Sequence, residues 1–191
     1  HTYTMQKTFV NRESNHIKIT NPIAKTHKLE IFKVLNDYDD TNDYGGDITI
    51  DKIFNVAVTA DGKNLPVGAK YEVYDQEGNL IDSKEVKELV VPNGETSITY
   101  SVVEIKHNQK VVIKGFLESM KFTVKEIFEN VSVGYTVSYS FSTSDNFSGT
   151  IAENQSTIEG EFVSEDMNTA TASVTISNNK NGISTSVPVT K

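Results

Sequence analysis

Along Leu29-Glu30-Ile31-Phe32-Lys33-Val34-Leu35 the polar and apolar positions alternate. Successive side chains of a β-strand point to opposite faces, so Leu29, Ile31, Lys33 and Leu35 share one face, and three of the four are large and apolar. The fourth is an amine directed at the core. Two later runs repeat this pattern with a different polar residue. In Lys121-Phe122-Thr123-Val124-Lys125-Glu126 the apolar face carries Phe122, Val124 and then Glu126, with Lys121 and Lys125 turned outward. In Ala172-Ser173-Val174-Thr175-Ile176-Ser177-Asn178 it carries Ala172, Val174, Ile176 and then Asn178, while the hydroxyl face continues to Asn179.

Other strand patterns fill the chain between these three. Phe54 to Thr59, Lys70 to Tyr74, Leu89 to Val91, Thr96 to Glu104 and Lys110 to Ile113 are short runs separated by the turn residues Asp61-Gly62, Glu77-Gly78-Asn79 and Pro92-Asn93-Gly94. Short strands at close spacing with no long helical period predict an all-β sandwich. Ser83 to Lys87 is read as one helical turn. From Tyr135 the alternation of Tyr135, Val137, Tyr139 and Phe141 predicts a long strand that gives way to a polar excursion through Asn154-Gln155-Ser156. Residues 1–21 hold two strand-like runs, Tyr3 to Val10 and His16 to Asn21, before Pro22 stops the second. They read either as closing strands of a preceding domain or as an extra hairpin of the main one.

Composition narrows the functional classes. A formal net charge of −8 in 191 residues argues against a nucleic-acid or anionic-membrane surface, both of which need clustered Lys and Arg. With no cysteine there are no disulfides, thiolate metal sites or cysteine nucleophiles. The acidic stretch from Asn36 to Asp47 lacks a glycine at the sixth position of any register that supplies the acids, so it reads as a solvated loop and not as a calcium loop. Arg12 is the only arginine and tryptophan is missing, which weakens a carbohydrate-binding reading. Four scattered histidines, no G-x-S-x-G and no phosphate loop leave little for a turnover enzyme. No cofactor and no metal are expected.

Two readings account for Lys33, Glu126 and Asn178. In one they are a satisfied buried Lys–Glu pair with the asparagine bonded to backbone. In the other they react. Desolvation favours a neutral, nucleophilic amine, a carboxyl group in the same surroundings can polarise an amide carbonyl, and the asparagine carboxamide supplies the electrophilic carbon. Attack would expel ammonia and leave a Lys33–Asn178 isopeptide bond, with Glu126 as the catalytic acid. The fold would supply the drive by holding the groups in contact across the sandwich.

The same residues resemble a known family. His107-Asn108-Gln109-Lys110-Val111-Val112-Ile113-Lys114-Gly115-Phe116 followed by Lys121 to Glu126 is similar to the "G-q-x-v-x-I-x-x-L…Y-x-V-x-E" signature of Cna B-type pilin domains, and Val174 to Lys180 resembles their closing "F-x-N-x-K" strand. Ile176 stands where that strand usually has an aromatic residue, and Phe116 where the lead-in has leucine. The resemblance covers residues 28–180 and extends to the two-domain shaft pilins of Gram-positive bacteria. It implies an immunoglobulin-like sandwich with Lys33 and Asn178 as the bonded pair and Glu126 as the acid.

By that resemblance residues 1–27 are closing strands and linker of a preceding domain, with Asn21 either an unbonded remnant of its cross-link or linked to a separate piece of chain, and 181–191 a tail. Val187-Pro188-Val189-Thr190 is similar to the start of an x-P-x-T-G sortase signal, with Lys191 in place of the glycine. Thr190 would then be the residue joined to the next subunit. The expectation is an extracellular structural subunit of a pilus or cell wall, linked to other pilin subunits by sortase, with single-turnover self-crosslinking as its only chemistry. The alternative is an adhesin module that binds a host glycan or matrix protein and uses the bond as scaffold.

Overall fold

The structure, a computed structural model, describes residues 26–36, 51–127, 135–143, 152–153, 157–162 and 169–180. Its strands are β1 (His27–Asn36), β2 (Phe54–Ala60), β3 (Lys63–Asn64), β4 (Lys70–Tyr74), β5 (Leu80–Glu85), β6 (Lys87–Asn93), β7 (Thr96–Ile105), β8 (Lys110–Phe116), β9 (Lys121–Ile127), β10 (Tyr135–Thr143), β11 (Ala152–Glu153), β12 (Ile158–Glu161) and β13 (Thr171–Lys180). Among the described residues there is no helix. The expected Asn21, Thr190, leading strands, acidic loop 37–47 and C-terminal tail lie outside these residues.

Two sheets form an immunoglobulin-like sandwich. The first runs β10-β13-β1-β8-β4-β5 and the second β11-β12-β9-β2-β7-β6, with β3 on β2. All pairings are antiparallel except β1 with β13, which lie side by side in parallel. The strict alternation of β1, buried at every second residue from His27 to Leu35, turns Leu29 and Ile31 to the core and Glu30 and Phe32 outward. β9 and β13 do the same with Phe122, Val124, Ala172, Val174 and Ile176. At the end where β1 begins, His27 stacks on Phe162 at 5.2 Å, and Phe162 and Phe116 both meet Phe122.

Two sequence expectations are corrected along one edge. Ser83 to Lys87 is not a helical turn: β5 runs to Glu85, Val86 is buried with its N–H on Ala69 O at 2.8 Å, and Lys87 opens β6 in the other sheet. The chain therefore changes sheets through one residue. Pro92 and Asn93 also belong to a strand, and the turn falls at Gly94, whose φ is +63°. β6 is the last strand of its sheet, so the missing proline N–H leaves no partner unsatisfied.

Candidate functional site

Lys33 and Asn178 enter the core from β1 and β13, and Glu126 enters from β9 in the facing sheet. The amine and the carboxamide therefore do not meet across the sandwich, as the alternation alone suggested. They are neighbours in one sheet, with Asn178 registered opposite Leu35, two residues beyond Lys33, and it is the acid that crosses from the other layer. Parallel pairing explains why. First and last strand run the same way, so residues near their ends lie side by side.

The three side chains form a closed ring of hydrogen bonds. Lys33 Nζ donates to Glu126 Oε2 at 2.9 Å and to Asn178 Oδ1 at 2.7 Å, and Asn178 Nδ2 donates to Glu126 Oε1 at 3.0 Å. Lys33 and Asn178 are 0% exposed and Glu126 4%, so water does not compete. Nζ also sits 4.3 Å from the ring centroid of Phe54, which closes the remaining side with an aromatic face. Burial pushes the Lys33 ammonium below its ordinary range, while the charge of Glu126 and its hydrogen bond pull the other way.

Other groups support the ring. Tyr139 Oη accepts the Glu126 main-chain N–H at 3.0 Å. His107 Nδ1 accepts the N–H of Leu35 at 2.9 Å, and burial together with the Lys33 charge lowers its affinity for a proton. No motif in the sequence marks this histidine, because capping a main-chain N–H requires none. Asn179, outward as expected, accepts from Asn36 Nδ2 at 2.7 Å and donates to Ser138 Oγ at 3.1 Å, tying β1, β13 and β10 together on the outer face. Among the described residues no cluster of three His, Cys, Asp or Glu could hold a metal ion.

A family model matches residues 27–180, from the first residue of β1 to the last of β13, and its description is a domain of unknown function, DUF7601. The chain belongs to the DUF7601 family. No curated protein matches it. Among solved structures, the DUF7601 chain is similar to the major pilin from Streptococcus pyogenes at 18% identity over 82% of its own length and 48% of the pilin, with a TM-score of 0.51. That likeness shows the fold. A bacterial adhesin from Mobiluncus mulieris, described as containing intramolecular disulfide, isopeptide and ester bond cross-links, aligns at 10% identity over 83% of this chain and 42% of that one, with a TM-score of 0.48. The DUF7601 chain thus spans less than half of either protein. Among its described residues no helix is long and apolar enough to cross a membrane.

Proposed function

We propose that this chain is a structural piece of a Gram-positive pilus or other surface protein, a Cna B-type domain that braces itself with a Lys33–Asn178 isopeptide bond. One observation carries the reading: an amine, a carboxamide and a carboxyl group in mutual hydrogen-bond contact, all three buried. A buried ion pair adds little stability compared with apolar residues of the same volume, so three polar groups brought from three strands into one dry ring favour a chemical purpose.

The ring needs two small changes to react. A proton passes from the Lys33 ammonium to Glu126 along the 2.9 Å hydrogen bond, which leaves a neutral amine and a carboxylic acid. Half a turn of the Asn178 carboxamide about Cβ–Cγ then exchanges its two heads, placing its oxygen where the acid can donate and its carbon open to Nζ. Nζ attacks Cγ, the carboxylic acid stabilises the oxyanion, and Glu126 carries one proton from Nζ to Nδ2, so that the Cγ–Nδ2 bond breaks with ammonia leaving and one hydrogen staying on the new amide nitrogen. Each folded molecule reacts once. Through this fold the domain would stand in an extracellular shaft among other pilin subunits, with sortase making the joints between them.

Intact mass tests the proposal. The purified protein should weigh one ammonia less than its formula, and Glu126→Ala or Lys33→Ala should restore the full mass. A wild-type protein at its formula mass overturns the reading.

A further inference from the structure

From the geometry around β9 we infer that Tyr139 is the positioning residue for Glu126, the side chain that fixes where the acid sits when the bond forms; this rests on the cross-linking function proposed above. Among the described residues β12 pairs with β9 from Glu161 opposite Lys121 to Ile158 opposite Val124. On its other side β9 keeps β2, with Val56 opposite Glu126. Glu126 is buried, and a buried N–H with no partner is costly, so the group that accepts its N–H matters to where the residue sits.

Tyr139 supplies that acceptor from the opposite sheet. β10 is the strand of the first sheet on the same side as β11 and β12, and it turns Tyr139 inward, where Oη accepts the Glu126 N–H at 3.0 Å. On its own strand Tyr139 is registered opposite Ile176 and its inward neighbour Val137 opposite Asn178. One phenol therefore connects the main chain of the acid to the strand flanking the carboxamide. Without that contact the main chain at Glu126 loses its link to β10, and the carboxyl group gains a freedom that the reacting geometry cannot tolerate. Burial raises the Tyr139 phenol to about 12, so it stays protonated at any pH at which the protein is handled and serves as a fixed acceptor, never as the base.

The test follows bond formation in time. Wild type, Tyr139→Phe and Glu126→Ala are made by cell-free synthesis, sampled from the first minutes, and the fraction lighter by one ammonia is read by intact mass, with the folded fraction followed by circular dichroism. Tyr139→Phe keeps the ring and removes only the acceptor. Its closure, measured where both proteins are fully folded, should be slower by about tenfold, the scale of one lost hydrogen bond. The slowing should be the same at every pH from neutral to mildly alkaline and should persist on cooling, whereas a merely structural weakening would disappear wherever the variant is fully folded. Closure at the wild-type rate in Tyr139→Phe, or a slowing that vanishes in the fully folded variant, overturns the positioning role alone. A wild type that never loses ammonia overturns the cross-linking function and this role with it.

Discussion

Lys33 has water on no side, and its proton affinity is set by the balance between burial, which favours the neutral amine, and Glu126, which favours the ammonium. Removing Glu126 leaves only the first effect. The sign of the pH dependence follows: with its affinity in the folded state below the ordinary 10.5, the folded chain gives up a proton that the unfolded chain still holds. Between the lowered value and 10.5 the unfolded state binds more protons, so stability rises with pH across that window. The uncross-linked Glu126→Ala variant should therefore gain resistance to urea from pH 7 to 9, relative to Glu126→Ala/Lys33→Met, which has no amine to titrate. Parallel curves for the two variants would mean that Lys33 keeps its proton by finding another partner. At this scale Lys33, Glu126 and Asn178 were legible because alternation reports which face a residue takes. Tyr139 was legible only as an apolar-phase residue. Its bond to Glu126 joins strands of two different sheets, and no pattern within either strand encodes that.

Strands were legible where one face is dry. β1, β4, β9 and β13 each bury alternate residues, and their sequences show it. β5 was missed because it lies at the sheet edge with Leu80 and Ile81 exposed beside Asp82 and Ser83, so no burial pattern shapes its sequence. The same packing argument gives a prediction at β12. Gly160, registered opposite Phe122, has no room for a side chain: a Cβ there would overlap Phe122 Cζ. The ring has little freedom to retreat because Phe116 and Phe162 flank it at 6.3 and 5.3 Å. Gly160→Ala should cost about 1–3 kcal/mol through overpacking, although alanine is ordinarily the better-ordered residue. In a domain of this size that corresponds to a fall in Tm of about 2–12 °C, read by calorimetry. An unchanged or higher Tm would show that the aromatic cluster yields.

Taken as a whole, the molecule joins its first strand to its last. β1 and β13 are parallel neighbours, so chain entering at His27 and chain leaving at Lys180 do so at opposite ends of the sandwich. This adjacency was not legible in the sequence, because alternation says which face a residue takes but not which strand lies beside it. Tension applied to the two ends would shear β1 against β13. A bond between Lys33 and Asn178, 145 positions apart, carries that load directly and leaves the intervening chain slack. By the loop-entropy relation for covalent cross-links, such a closure stabilises by about 5 kcal/mol. The mechanical consequence is larger than the thermal one. Without the bond, rupture of the sandwich frees the enclosed chain, about 500 Å when extended. With it, no force short of breaking a covalent bond can release that length. In single-molecule pulling from the two ends, Glu126→Ala should show an unfolding step close to that contour length, and the wild type should extend only by the chain outside Lys33 and Asn178. A wild-type trace with the long step would mean that load passes through the core, and that the brace is not there to stop it.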